Sequence, residues 1–256
     1  MKSIDINCDM GELPEAIADG TQEALMPSLT SVNIACGGHA GDERTMKTTI
    51  EQALRWKLAL GAHPGYTDRA NFGRLELQMP AQAIADSVFR QVRALAEIAA
   101  RYGERLGHVK PHGALYNQAA RNRVLAEAIA QGVARWRHDI VLIGLAGSQM
   151  LEVFREAGFA VAAEAFADRR YEPGGTLRSR KFDDALIRDP EEAGDQALSI
   201  VERGIVIACD GSEVPVDAQT VCIHGDTPGA PEIASAVART LRQAGVTLSP
   251  LARSLQ

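Results

Sequence analysis

The sequence predicts a single-domain α/β barrel, and three observations support this prediction. Short apolar, β-branched runs alternate with longer segments of helical period, which is typical of βαβ units and a parallel sheet. Histidines and charged residues follow most of the predicted strands, as they do at the mouth of a barrel. The length of 256 residues suits one barrel. We therefore expect one domain over 1–256, with about the last ten residues as a loose tail.

Composition narrows the class of protein. Lys and Arg total 27 against 33 Asp and Glu, and the resulting net charge of −6 disfavours a nucleic-acid binder. No run approaches the roughly 18 apolar residues of a membrane helix, and the first residues resemble a strand rather than a signal peptide. The four cysteines form no CxxC pair, so we expect free, mostly buried thiols. These features predict a cytoplasmic protein that binds neither nucleic acid nor membrane.

Each predicted element has a local reason in the sequence. Apolar and β-branched runs predict strands at 3–8, 31–36, 59–63, 106–110, 140–145, 160–166 and 220–224. Periodic apolar residues predict helices at 43–58, 80–102, 124–136, 148–157, 190–203 and 231–244. Asp42 is suited to cap the first of these helices, while Pro80 fits the first turn and Gly103 the C-terminal cap of the second. The Asp210-Gly211 pair predicts a hairpin or an eighth strand at 205–216.

Chemically active side chains follow six of the seven predicted strands. In chain order they are Asp9 and Glu12, His39, His63, Lys110 and His112, then Glu164, Asp168 and Arg169, and finally His224 and Asp226. An open doubly wound sheet binds ligands only near its switch point, so contributions from so many strands favour a closed barrel. We expect these side chains to converge on one opening.

The residue types at this opening indicate acid–base or metal chemistry. Carboxylates such as Asp9 and Glu12 beside imidazoles are the usual material of general acid–base catalysis, although both also fit helix capping. Neutral imidazole suits zinc and related ions, although no HExxH spacing is present. The candidate metal ligands are His39, His63, His112 and His224.

The cationic residues allow more than one interpretation. Lys110 ends a predicted strand, where its ammonium would face an anionic ligand or a developing oxyanion. Arg74 and Arg169 would hold a substrate carboxylate or form surface ion pairs. His108 and His138 are expected to be structural or solvated. Phosphate-loop, GxGxxG and GxSxG motifs are absent, so these residues predict a barrel enzyme, of hydrolytic type, without a conventional nucleotide loop.

Eight strings spread along the chain resemble the family of the 5-oxoprolinase A component, also called the lactam-utilisation family. They are NCDMGE at 7–12, NIACG at 33–37, HAGD at 39–42, GAHPGY at 61–66, FGR at 72–74, HVKPHGALYN at 108–117, EAFADR at 164–169 and VCIHGDTP at 221–228. They occur in family order over nearly the whole chain. Gly38 stands where the family has an aromatic residue, which predicts a roomier mouth at that point.

The resemblance implies a distorted seven-stranded β/α barrel, similar to polysaccharide deacetylases and related glycoside hydrolases. It implies ATP-dependent ring opening of 5-oxo-L-proline to L-glutamate, with ATP and Mg²⁺ as cofactors and subunits B and C as partners. Together with the strand-end pattern, it makes Asp9, Glu12, His39, His63, Lys110 and His112 the catalytic candidates. The substrate-binding candidates are Asn7, Arg74, Glu164, Asp168, Arg169, His224 and Asp226.

The mechanistic hypothesis is that phosphorylation of the lactam oxygen activates the ring carbon towards water. Asp9 or Glu12 would be the general base. The imidazole of His39, His63 or His112 would protonate the departing nitrogen. Lys110 would stabilise the oxyanion or a phosphate. Two alternatives stay open: a metal-dependent, deacetylase-like hydrolase, and a non-catalytic subunit that only binds the lactam.

Overall fold

Seven parallel strands close into a barrel in the computed structural model, which describes residues 2–251. The strands are β1 Ser3–Met10, β2 Ser31–Ala35, β3 Ala59–His63, β4 His108–Val109, β5 Val141–Leu145, β6 Ala160–Phe166, β7 Ile205–Ile207, β8 Glu213–Pro215, β9 Thr220–Ile223 and β10 Thr247–Leu248. The order around the barrel is β1-β2-β3-β4-β5-β6-β9, and β9 pairs back onto β1. This closed ring confirms the predicted fold class.

Helices cover the outside of the barrel. They are α1 Pro14–Ala18, α2 Thr21–Leu25, α3 Glu43–Arg55, α4 Ala81–Ala100, α5 Gly113–Ala119, α6 Arg123–Ala134, α7 Gln149–Glu156, α8 Pro190–Arg203 and α9 Ala230–Gln243. Asp42 caps α3 as predicted, since its carboxylate accepts the Thr45 backbone N–H at 2.8 Å. Pro80 lies one residue before α4 instead of in its first turn, and the C-terminal cap of α4 is Arg101, not Gly103 as predicted.

The remaining differences from the sequence prediction are local. β7 and β8 form an antiparallel hairpin outside the barrel. Residues 205–216 are therefore a hairpin and not an eighth strand of the barrel. The helices α1, α2 and α5 were not predicted, because five to seven residues are too few to display a helical period. β10 pairs with the start of β1 and Leu251 is buried, so the expected loose tail is packed as far as 251. Residues 252–256 of that tail lie outside the described residues.

The apolar core lies mainly between the strands and the helices, whereas the centre of the barrel is polar. Asp5, Asn7, Asn33, His108 and Glu164 are all almost completely buried there. Three of the four free cysteines are buried, as expected, and Cys209 is exposed. No helix in residues 2–251 combines the length and the apolar character needed to cross a membrane. The polar barrel centre forms the support of the site described next.

Candidate active site

A cavity of about 1170 Å³ opens at the carboxyl ends of the strands. Most of the candidate side chains line it, as the strand-end pattern predicts: Asp9, Glu12, His63, Arg74, Lys110, His112, Arg169, His224 and Asp226. His39, Asn7, Glu164 and Asp168 are buried behind this lining. The strand ends therefore converge on one opening, although only part of the predicted set faces it.

Four side chains form a compact group at the floor of the cavity, here called the imidazole cluster: Glu12, His39, His63 and His112. The Glu12 carboxylate oxygen Oε1 lies 2.8 Å from His39 Nε2 and 3.1 Å from His112 Nδ1. His112 Nδ1 is also 2.9 Å from His63 Nε2. The predicted metal candidate His224 lies in a separate group, with Asp9 and Cys222. The structure thus brings three of the four candidate imidazoles together.

Backbone carbonyls orient two of these rings. His63 Nδ1 lies 2.8 Å from the carbonyl oxygen of Lys110, and His112 Nε2 lies 2.9 Å from that of Phe72. A carbonyl only accepts, so each of these ring nitrogens carries a hydrogen and donates. The opposite nitrogens, His63 Nε2 and His112 Nδ1, consequently face the cluster and Asp9.

Lys110 is the cation of the barrel floor. Its ammonium lies 3.0 Å from Asp9 Oδ1, 2.9 Å from Glu164 Oε1 and 3.3 Å from Asn7 Oδ1. Burial would lower the pKa of Lys110, but the charges of Asp9 and Glu164 hold it well above its usual value. The ammonium lines the cavity and already contacts two carboxylates, and the role at an oxyanion that the sequence suggested stays a prediction.

Asp9 is held ionised by its neighbours. Burial would raise its pKa, but the charges of His63 and Lys110 bring it well below its usual value. The Asn33 amide also donates to Asp9 Oδ1 at 2.8 Å. The pKa of His63 is raised, because the Asp9 charge outweighs the opposing effect of burial. Asp9 and His63 therefore each favour the charged form of the other at the cavity floor.

Asn33 owes its orientation to His108. Burial lowers the pKa of His108 to about 3, so the ring is neutral, and its Nε2 lies 2.8 Å from Asn33 Oδ1. Asn33 in turn donates to both Asn7 and Asp9. His108 is structural, as expected. Asn33 was not among the candidates, although an amide between two apolar residues of a predicted strand was a usable signal.

A second imidazole unit faces the cavity from β9. His224 Nδ1 lies 2.9 Å from Asp168 Oδ1, and the His224 backbone N–H donates to the other Asp168 oxygen, also at 2.9 Å. The ring stacks on Phe166, with centroids 5.4 Å apart and planes inclined by 16°. Asp168 is fully buried. It therefore orients His224 and has no exposed surface for a substrate.

Of the two predicted arginines, Arg74 forms an ion pair, which was one of its two expected roles, whereas Arg169 contacts backbone carbonyls. Arg74 lies 2.5 Å from Asp226 Oδ2, and Arg180 lies 2.8 Å from the same oxygen. Arg169 is buried and donates to the backbone carbonyls of Arg178 at 2.6 Å and Ala185 at 3.4 Å. Its guanidinium therefore holds the loop after β6 and is not free to clamp a carboxylate. Arg180 was missed, because that loop has no periodic pattern.

The mouth is not roomier at Gly38, contrary to expectation. A Cβ at this position would lie 2.3 Å from the Gln91 side-chain oxygen and 2.7 Å from the Gly65 carbonyl oxygen. Gln91 also hydrogen-bonds both the N–H and the carbonyl of Gly65. Gln91 therefore fills the space that was expected to be left by glycine in place of an aromatic residue.

The sequence and the fold match known proteins over nearly their whole length. The profile of the LamB/YcsF family matches residues 4–256. The A component of 5-oxoprolinase from Chloroflexus aggregans is 50% identical over 97% of this chain and 98% of its own. The lactam utilization protein from Thermus thermophilus superposes with a TM-score of 0.90 at 41% identity, covering 97% of this chain and 99% of its own.

A more distant likeness concerns the fold alone. A family 4 carbohydrate esterase from Streptomyces lividans shares the barrel, with a TM-score of 0.52 at 9% identity, over 98% of this chain and 93% of its own. This agrees with the expected similarity to deacetylase-type barrels. The family profile and the sequence identity over nearly the whole chain show more than the shared fold: this chain belongs to the LamB/YcsF family.

Proposed function

We propose that this chain is the ring-opening subunit of a cytoplasmic, ATP-dependent 5-oxoprolinase that converts 5-oxo-L-proline to L-glutamate. Water adds across the lactam C–N bond: the carbonyl carbon gains a hydroxyl group and the ring nitrogen gains a proton. The single observation that carries the proposal is that Asp9 and the oriented His224 line one cavity with ligand atoms within 4.8 Å of each other. The names of relatives such as the Chloroflexus aggregans protein support the choice of substrate.

In this proposal, Asp9 is the general base and His224 is the general acid. Asp9 Oδ1 contacts both Lys110 and Asn33, whereas Oδ2 contacts only His63 Nε2 among the described side chains, at 3.2 Å, so we assign Oδ2 to receive a proton from the attacking water. His224 is the proposed proton donor to the departing nitrogen, because Asp168 holds its Nδ1. Asp9 and His224 offer ligand atoms within 4.8 Å of each other, a separation that a small substrate spans. This replaces the hypothesis from the sequence that a ring of the imidazole cluster is the acid.

Charge at the rim supports an anionic substrate. Arg74 and Arg180 both contact Asp226, and all three residues line the cavity. We propose that the substrate carboxylate takes the place of Asp226 between these guanidinium groups, since both are already aimed at a carboxylate. Lys110 then acts as a positioning residue for Asp9 and does not bind the oxyanion.

The proposal includes partners and a nucleotide. A five-membered lactam re-forms readily from glutamate, so coupling to ATP hydrolysis drives the reaction toward ring opening. The sequence contains no phosphate-loop motif, and we therefore assign the ATP–Mg²⁺ site to the assembled complex with subunits B and C. The names of the relatives, which describe one subunit of an enzyme, support this assembly.

The test is glutamate release from 5-oxoproline by the chain reconstituted with subunits B and C, with and without ATP. We expect Asp9→Asn and His224→Asn to lower kcat by roughly 10²-fold or more. His138→Asn is the matched control, because that ring lies in an exposed loop against Phe159 and should leave kcat unchanged.

Three results would contradict parts of this assignment. Full turnover by Asp9→Asn would remove Asp9 as the base. Turnover without ATP would remove the coupling. Unchanged kcat in both variants, together with binding of 5-oxoproline to this chain, would instead identify a lactam-binding subunit.

A further inference from the structure

We propose that Glu12, His63 and His112 bind one divalent transition-metal ion, with Zn²⁺ as the metal that suits the donor set, at the cavity floor beside Asp9. The inference rests on the geometry of the imidazole cluster and not on the proposed reaction. The cluster is a separate unit from the Asp168–His224 pair, and neither the acid nor the base assigned above belongs to its ligand set.

The first argument is the direction of the ring nitrogens. Since His63 Nδ1 and His112 Nε2 each donate to a backbone carbonyl, the opposite nitrogens face each other as two lone pairs whenever both rings are neutral. These two nitrogens, His63 Nε2 and His112 Nδ1, are only 2.9 Å apart. Two lone pairs that face each other at this distance repel, unless a positive centre lies between them. A carbonyl partner on the far ring nitrogen is also what normally fixes a metal-binding histidine.

Carboxylate oxygens of Glu12 and Asp9 lie beside the same two ring nitrogens and add to the acceptor atoms there. Glu12 Oε1 lies 3.1 Å from His112 Nδ1 and 3.7 Å from His63 Nε2. Asp9 Oδ2 lies 3.2 Å from His63 Nε2. Four acceptor atoms from four side chains thus converge here, and His39 Nε2 is the ring nitrogen placed to donate to one of them, Glu12 Oε1. Such a set of acceptors calls for a cation.

The spacing matches an ion of ordinary size. Metal–nitrogen and metal–oxygen distances of about 2.0–2.2 Å place neighbouring ligand atoms roughly 3.0–3.5 Å apart, for tetrahedral to octahedral coordination. The three separations among Glu12 Oε1, His63 Nε2 and His112 Nδ1 are 2.9, 3.1 and 3.7 Å, and they bracket this range. Two imidazoles and one carboxylate favour zinc or a related transition metal over Mg²⁺ or Ca²⁺.

The surroundings fit a metal site with one side open. His39 Nε2 lies 2.8 Å from Glu12 Oε1, so His39 is assigned to hold the carboxylate ligand and not to bind the ion. The side chains of His63 and His112 are 1% and 7% exposed, and that of Glu12 is 10% exposed. All three ligands nevertheless line the cavity. Three protein ligands with a free position towards a cavity are the arrangement of catalytic zinc sites.

The experiment uses the full chain stripped with a chelator and titrated with Co²⁺ alone, followed by Zn²⁺ competition. We expect one Co²⁺ per chain, with visible ligand-field absorption that Zn²⁺ abolishes. His63→Gln and His112→Gln should weaken binding by at least about tenfold, by loss of a ligand. His138→Gln, which changes an exposed histidine, should bind Co²⁺ as the parent does.

The alternative positive centre is a proton shared by His63 and His112, and the same titration separates the two. The inference is overturned if Co²⁺ and Zn²⁺ show no saturable binding below roughly 1 mM, or if the two variants bind as tightly as the parent. Circular dichroism melts show whether each variant folds. Should His63→Gln unfold, Glu12→Gln, at the more exposed side of the cluster, decides the question by the same criterion.

Failure of this inference and failure of the proposed function are distinguishable. Metal binding with no 5-oxoproline turnover would contradict only the proposed reaction. Turnover by a chain that binds neither probe metal would contradict only the metal site.

Discussion

Replacing Lys110 by methionine removes one ammonium group from the barrel floor and keeps most of the side-chain volume. The parent ammonium lies 3.0 Å from Asp9 Oδ1 and 2.9 Å from Glu164 Oε1. The Lys110 and Glu164 side chains are 3% and 0% exposed, and that of Asp9 is 9% exposed. The substitution therefore leaves two carboxylates in a buried place without their common cation.

The expected cost follows from these contacts. Removing one partner of a buried ion pair costs about 3–5 kcal/mol, because the remaining charge is uncompensated. Glu164 retains the Asn7 amide at 3.0 Å and Asp9 retains that of Asn33 at 2.8 Å, so the loss should stay within this range despite the second carboxylate. At about 2–4 °C for each kcal/mol in a chain of this size, the melting temperature should fall by roughly 6–20 °C.

Urea denaturation and thermal melts at pH 7 on chelator-treated protein measure this loss. Lys181→Met is the matched control, because Lys181 is exposed at the mouth and its loss should change the free energy of unfolding by less than about 0.5 kcal/mol. Adding Glu164→Gln to Lys110→Met removes one stranded charge and should recover at least about 1 kcal/mol.

Two outcomes would refute the reasoning. A Lys110→Met chain that loses less than about 1 kcal/mol would show that the carboxylates are not held as buried ions. A double variant no more stable than Lys110→Met would show that the loss arises from packing, not from uncompensated charge.

Three further changes test other parts of the molecule. A Cβ at Gly61 would lie 2.0 Å from His108 Nε2, so Gly61→Ala should cost about 1–3 kcal/mol in urea denaturation. Gly174→Ala, with nothing within 4 Å, should cost little, and equal losses would contradict the packing argument. Burial raises the pKa of Asp5 from 3.8 to about 6, because the folded chain favours the protonated carboxyl. The contribution of Asp5 to the free energy of unfolding is therefore complete below pH 3.8 and is lost as the pH rises through 6. Asp5→Asn should remove about 3 kcal/mol of this pH dependence, and an unchanged stability–pH curve would contradict the assignment. Arg180→Ala should raise KM for 5-oxoproline about tenfold at nearly constant kcat, and an unchanged KM in the reconstituted complex would exclude its proposed substrate contact.

Much of the fold was predictable because it depends on local periodicity. The strand at 59–63 and the helix at 190–203 occur with the predicted bounds, and the Asp42 cap follows from a short-range side-chain bond. β10 was not predictable in the same way. Its two residues become a strand only because they pair with Ser3 and Ile4, at the start of β1, which β2 and β9 leave unpaired.

Part of the candidate site was also predictable. Alternating strands and helices place His63 and His112 at neighbouring strand ends in any parallel barrel. The sequence contains no sign that the carbonyls of Lys110 and Phe72 bind one nitrogen of each ring and turn the other inward. That choice depends on backbone atoms up to 47 positions away in the chain.

The sequence by itself determined the barrel, the family and the edge at which the candidate site lies, because periodicity and short motifs are local properties. Only the tertiary structure decided what each charged group contacts. Lys110 was expected to face a ligand, yet its partners Asp9 and Glu164 come from β1 and β6, on other sides of the closed ring. Arg180, in a loop without periodicity, joins the site only because folding brings it to Asp226. Electrostatic partners depend on distance in space, and closure of the barrel sets those distances.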